Sequence, residues 1–213
     1  MLRAFIFTVS LLVLAGCQTA YYSAMEQVGI HKRDILVDRV EDARDAQGEA
    51  QEQFSDALEH YRAVINFNGG ELESLYDRLK AEYDDSQAAA NAVSERIAGV
   101  EQVAEALFEE WEEELAQYQN AALKRQSATQ LKETQRRYQT LLRTMRRAEQ
   151  RMAPVLTALN DNVLYLKHNL NARAIGALKG EFAGLQQDID RLVKEMRNSI
   201  EESDTFIRSM AAN

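Results

Sequence analysis

From Leu36 onward, apolar residues return in alternating steps of four and three: Leu36, Val40, Ala43, Ala50, Phe54, Ala57, Tyr61 and Val64, with the polar Gln47 filling one seam position. A repeat near 3.5 residues is the signature of a coiled-coil seam, because it keeps one stripe of an α-helix turned toward a partner. Asn66-Phe67-Asn68-Gly69-Gly70 breaks the pattern with residues that tolerate positive φ and end helices, which predicts a turn. The spacing then resumes through Leu72, Leu75, Leu79, Ser86, Ala90, Val93, Ile97, Val100, Ala104, Leu107, Trp111 and Tyr118, and its helix is expected to end near Asn120. Ser127 is the expected N-cap of a third helix, whose seam reads Leu131, Tyr138, Leu142, Met145, Met152, Leu156, Leu159, Val163, Leu166 and Leu170. The last seam is Leu178, Phe182, Leu185, Ile189, Leu192, Met196, Ile200, Phe206 or Ile207, and Met210.

These series predict four helices, at about 23–66, 71–120, 127–170 and 173–210, each about 60 to 75 Å long at 1.5 Å per residue. Similar lengths and short connections favour an all-α, elongated, antiparallel four-helix coiled-coil bundle forming a single domain over residues 23–213. Two helical hairpins pairing between two molecules would satisfy the same pattern, so a homo-oligomer stays open. Pro154 removes a backbone donor and crowds the preceding turn, which predicts a kink in the third helix or its break into two collinear ones.

The N-terminus follows a different logic. Arg3 precedes an uncharged apolar run from Ala4 to Leu14, followed by Ala15, Gly16 and Cys17. That order is a signal peptide, and the run is too short to cross a hydrocarbon core about 30 Å thick. Leu14-Ala15-Gly16-Cys17 resembles the lipobox of bacterial lipoproteins, in which the cysteine is alkylated with diacylglycerol and becomes the new N-terminus. Residues 1–16 are then a cleaved signal and 17–22 a lipidated tether, with Cys17 as the attachment site and further acylation, palmitate for example, completing a stable anchor. The single cysteine fits, since a lone free thiol would be exposed to oxidation in an exported chain. By resemblance to lipoprotein sorting in Gram-negative bacteria, Gln18 after the cysteine implies an outer-membrane lipoprotein facing the periplasm. Tyr21 and Tyr22 are suited to the membrane interface.

Charge sharpens the picture. The formal net charge of -9 makes the chain a poor nucleic-acid binder, because that affinity comes from basic side chains neutralising phosphates. Residues 101–115 carry seven glutamates and no base, whereas 124–151 carry nine bases and two acids. A hairpin centred near residue 123 sets the first run against Lys132, Arg136, Arg137, Arg143 and Arg146, so the two runs are expected to pair across the helices. An anionic partner, such as a lipid headgroup, is the competing reading of the basic run.

Catalytic patterns are missing from the sequence. None of His31, His60 and His168 follows Glu by three residues, and there is no His-Glu-x-x-His, phosphate loop or Gly-x-Ser-x-Gly. No enzyme activity, cofactor or metal is therefore expected. Trp111 lies on a seam, and Glu112, Glu113 and Glu114 read as a solvated face. If the lipid holds the start of the first helix at the membrane, the first and third turns form the distal end. Phe67, Asn68, His168, Asn169, Asn171 and Arg173 there combine an apolar anchor with polar neighbours and are the candidate partner-binding tip.

The segments His31–Val40, Asn68–Glu73, Ala104–Trp111 and Leu166–Ile175 resemble a proteobacterial lipoprotein family catalogued as domain of unknown function 2959, over essentially the whole mature chain. The resemblance implies no activity. Some members are labelled DNA-repair ATPases, but this chain has no phosphate loop. The sequence thus reads as a lipid-anchored structural or interaction module of the cell envelope, attached to the membrane by its lipid and expected to bind an envelope protein partner. The alternative is a periplasmic helical carrier of a lipid or other amphiphile.

Overall fold

The computed structural model describes Met25 and residues 29–66 and 72–211. They form four helices: α1 (Lys32–Ile65), α2 (Leu72–Gln117), α3 (Ala121–His168) and α4 (Ala172–Ala211). Each helix packs on the next, and α4 closes back on α1, so the four surround one core. Cross-helix pairs fix the directions. Lys32 meets Glu110 at 2.8 Å and Asp42 meets Arg96 at 3.4 Å, so numbers rising along α1 fall along α2. Arg44–Asp204 together with the Tyr61–Leu178 hydrogen bond shows the same opposition for α1 with α4, and the short connection from His168 to Ala172 turns α4 back along α3, where Arg147 meets Glu195. The architecture is an antiparallel up-down-up-down bundle.

Every seam position of α1, from Leu36 through Gln47 to Val64, is buried. Small seam residues such as Ala43, Ala50, Ala57, Ala90 and Ala104 let the helices approach, and Phe54, Tyr61, Leu79, Leu166 and Leu178 fill the wider layers. The later seams drift by one position in places. Leu141 is fully buried where Leu142 was expected, and Ser199 and Ser203 take the core face in place of Ile200. A 3.6-residue helix rotates slowly against a seven-residue pattern, so the residue nearest the core changes along a long helix. Tyr118 and Leu170, predicted on seams, are exposed because α2 ends at Gln117 and α3 at His168, leaving both residues in the connections.

Three boundaries differ from expectation. The predicted first helix is interrupted: Gly29 has φ 84, the Ile30 N–H donates to the Met25 carbonyl at 3.0 Å, and α1 starts only at Lys32. The third helix begins six residues before Ser127, at Ala121, because the Asn120 carboxamide oxygen accepts from the Ala122 and Leu123 N–H groups and caps it. Ser127 is instead buried inside the helix, where its Oγ accepts from Trp111 Nε1 at 2.8 Å. Helix α3 also runs without a break through Pro154, which sits at an exposed position.

The early start of α3 leaves an overhang. Glu110 is level with the first residue of α1, yet α2 continues to Gln117, and residues 116–126 are all exposed. The α2–α3 hairpin therefore projects beyond the four-helix body at the end where α1 begins.

Candidate functional site

The residues proposed for the distal tip meet at one end of the bundle as far as they are described; Cys17, Phe67 and Asn68 lie outside the described residues. Asn169 ends α3: its backbone N–H donates to the Leu166 carbonyl and its side-chain amide to the Tyr165 carbonyl at 2.9 Å. Asn171 starts α4, its side-chain oxygen accepting from the Arg173 and Ala174 N–H groups at 2.9 and 3.3 Å. Both asparagines are thus occupied as caps. His168 and Arg173 are exposed beside them.

Below this turn, α1 and α4 are locked together by aromatic contacts. The Tyr61 hydroxyl donates to the Leu178 carbonyl at 3.2 Å, its ring stacks on Phe182 with centroids 6.0 Å apart, and the Arg62 guanidinium lies 5.6 Å from the Phe182 centroid. Burial first, then the Glu181 carboxylate, pushes the Tyr61 phenol well above its ordinary pKa. It remains a neutral donor that holds the helices in register.

The sequence reading missed the apolar surface at this end. Leu164, Tyr165 and Leu170 are 49%, 42% and 44% exposed, and among the described residues the other exposed large apolar side chains, Tyr118 and Leu123, belong to the opposite overhang. The signal was present in Val163-Leu164-Tyr165-Leu166, since four consecutive apolar residues on a helix cannot all face one core. Next to Tyr165, α3 and α4 part to form an open cleft of 530 Å³ lined by Ala158, Asp161, Asn162, Leu178, Glu181 and Leu185, among others. Its rim on α4 includes Gly184, part of the run Gly176, Gly180 and Gly184, where an added Cβ would meet nothing within 4 Å. These glycines are not needed to bring the chain's own helices together.

At the opposite end, the predicted pairing between α2 and α3 is realised in register but only in part. Arg146 is hydrogen-bonded to both carboxylate oxygens of Glu101, and it also meets Glu149 at 2.7 Å. The Glu101 hydrogen bond is the main reason its pKa is raised further. Gln135 donates to Glu112 at 3.1 Å, and Phe108 packs edge-on against Tyr138 with centroids 5.4 Å apart. Burial, followed by the Glu101 carboxylate, pushes the Tyr138 phenol up to about 12. Lys132, Arg136, Arg137 and Arg143, expected to meet the glutamates, make no ion pair among the described residues, since only Glu101, Glu110 and Glu149 of the acidic side chains in this region do so.

Among the described residues no group of His, Cys, Asp and Glu is arranged to hold a metal ion, and no helix is long and apolar enough to cross a membrane. No curated protein and no solved structure matches the chain. Over residues 21–210, almost all of the helical region and the segment just before it, it matches the model of the family described as protein of unknown function (DUF2959), and the chain belongs to that family.

Proposed function

We propose that the protein is a lipid-anchored interaction module of the Gram-negative cell envelope without catalytic activity, tethered through Cys17 to the outer membrane and facing the periplasm. The observation that carries the reading is the placement of exposed apolar surface. Leu164, Tyr165 and Leu170 gather at the end farthest from the start of α1, whereas the other exposed large apolar side chains among the described residues, Tyr118 and Leu123, lie at the overhang on the anchored side. A rigid bundle anchored by its N-terminus presents that end to partners, and an apolar cluster rimmed by His168 and Arg173 suits a protein contact. The lipobox-like Leu14-Ala15-Gly16-Cys17 supports attachment by acyl chains.

The test has two arms. Cys17→Ser is expected to release the chain from membranes and to abolish globomycin sensitivity; wild-type protein found wholly in the soluble fraction refutes the anchor. Leu164→Ser with Leu170→Ser is expected to abolish capture of an envelope protein in crosslinked pull-downs while leaving helicity unchanged. Undiminished capture refutes the distal site.

An amphiphile carrier is the second reading, favoured by the cleft between α3 and α4, whose walls include Ala158, Tyr165, Leu178 and Leu185. Co-purified lipid that is lost on Ala158→Trp would move the assignment to that reading.

A further inference from the structure

The outer face shared by α2 and α3 is divided electrically along its length. The Glu101–Arg146 and Glu112–Gln135 contacts set the level of the long side chains, placing the head group of residue 105 beside that of about 142 and that of 109 beside about 138, while nearer the turn the Trp111 indole N–H reaches Ser127. At 100° per residue, Glu105, Glu109 and Glu112 fall within about 60° of one another on α2, turned outward and toward α3. Lys132, Arg136 and Arg143 fall within about 40° of one another on α3, opposite the core positions Leu141 and Met145. All six side chains are exposed. Glu112 accepts from Gln135 and Arg143 donates to Thr140, but none of the six forms an ion pair with a described residue. Between the strips lie the half-buried Phe108, Tyr138 and Leu142.

We infer that a second copy of the chain docks on this face in parallel, related by a two-fold axis running along the bundle. That operation carries α2 of one protomer onto α3 of its partner at the same height, so each acidic strip lies on a basic strip and the half-buried apolar groove meets its own copy. The other two-fold that pairs the same face, perpendicular to the helices, sets acidic on acidic and basic on basic. Charge therefore selects the parallel dimer. A lipid surface or nucleic acid fits the face less well, because three carboxylates stand beside the three bases and would meet the same polyanion.

Two helices each about 10 Å wide over about 17 Å, the axial length from Lys132 to Arg143, give about 340 Å² a side, or about 700 Å² in all, which is small for a stable interface in free solution. Confinement in one membrane compensates by raising the effective concentration. The parallel arrangement leaves both N-termini on one side, as two anchored chains require; this clause rests on the lipid-anchor reading, whereas the two-fold rests on the strips alone.

The test uses the full chain in native membranes. Chains carrying Glu109→Cys and Arg136→Cys, with different tags, are co-expressed and mildly oxidised. A disulfide-linked heterodimer is expected, and no homodimer from Glu109→Cys alone, since identical positions lie across the axis beyond the roughly 7 Å that a disulfide spans. A Glu109→Cys homodimer without the heterodimer, or no cross-link at all, overturns the proposal. As a second measurement on cysteine-free positions, the triple reversal Lys132→Glu, Arg136→Glu, Arg143→Glu is expected to abolish co-purification of two tagged copies. Co-expression with Glu105→Lys, Glu109→Lys, Glu112→Lys is expected to restore it in trans, which also shows that both variants fold. Failure of rescue in trans overturns the dimer, and a melting temperature lowered by the triple reversal and regained only when all six changes share one chain assigns the strips to pairing within the chain. The acyl mass on Cys17, read from the same preparations, separates the two readings: a lipidated chain without cross-link overturns the dimer alone, and a cross-linked chain without acyl groups overturns the anchor alone.

Discussion

The distal half of the bundle and its middle solve the same packing problem with different materials. Distally, Phe54, Tyr61, Leu79, Leu166 and Leu178 fill the core almost without exposure, and the Tyr61 hydroxyl bonds to α4 across the interface. In the middle, Gln47 is fully buried with neither its amide nitrogen nor its carbonyl oxygen hydrogen-bonded, and Ser199 Oγ is likewise unpaired. The Arg44–Asp204 pair places Gln47, one turn farther along α1, level with Ser199 and Ser203 of α4. A buried amide without partners costs about 1 to 3 kcal/mol, so the middle layer gives up stability that the distal layer supplies. Polar seam residues are known to fix helix register at such a cost, and a fully apolar middle would let four similar seams slide by a heptad.

Removing the distal anchor should have the largest effect. Tyr61→Ala is expected to destabilise the bundle by about 3 to 5 kcal/mol, through lost burial and the cavity left behind, as read by urea denaturation. A loss below 1 kcal/mol would erase the contrast between the two regions. In the opposite sense, Gln47→Leu should raise stability by about 1 to 3 kcal/mol while broadening the distribution of helix registers seen by cysteine cross-linking. If that variant is less stable than wild type, the Gln47 amide has partners that the fold does not display.

Smaller effects belong to the overhang, which stands outside both regions. Asn120→Ala removes a cap worth about 1 kcal/mol, and it should speed hydrogen exchange at the start of α3 with little change in global unfolding. Global destabilisation of that size would instead mean that the overhang folds as one unit with the body.

The least effect is expected from Tyr138, whose phenol has its pKa raised by burial and by Glu101. Its folded value, about 12, exceeds the ordinary 10.0, so the neutral ring's contribution is complete below pH 10 and is lost as pH climbs through about 12. Tyr138→Phe should flatten the decline in melting temperature over that window, and an unchanged slope would assign the decline to other groups. The same experiment on Tyr61→Phe reports on the distal half, where the phenol is also held neutral by burial.

The candidate site was legible only in part, for reasons specific to its residues. Asn169 and Asn171 were visible as residues suited either to capping or to a partner, and the backbone bonds assign them to capping. Leu164 and Tyr165 flank the seam residues Val163 and Leu166, and a 3.5-residue period does not tell an apolar neighbour of the seam from a seam residue. Pairing between α2 and α3 is anticipated by a turn placed between Asn120 and Ser127, and Glu101–Arg146 falls close to the expected level although the turn is centred at 119 rather than near 123. The incompleteness of that pairing is not anticipated, because helix rotation decides whether a charged side chain points across the groove or away from it.

By itself the sequence determined four amphipathic helices, the α1 seam and the antiparallel hairpin register, because those depend on a local period and on short connections that admit few topologies. Only the tertiary structure decided that Ser199 and Ser203, rather than Ile200, face the core, and that Leu141 displaces Leu142. Neighbouring seam candidates differ by a rotation of about 100°, and the local pattern tolerates either. The choice belongs to the packing of three other helices, whose distance and tilt set which side chain fits.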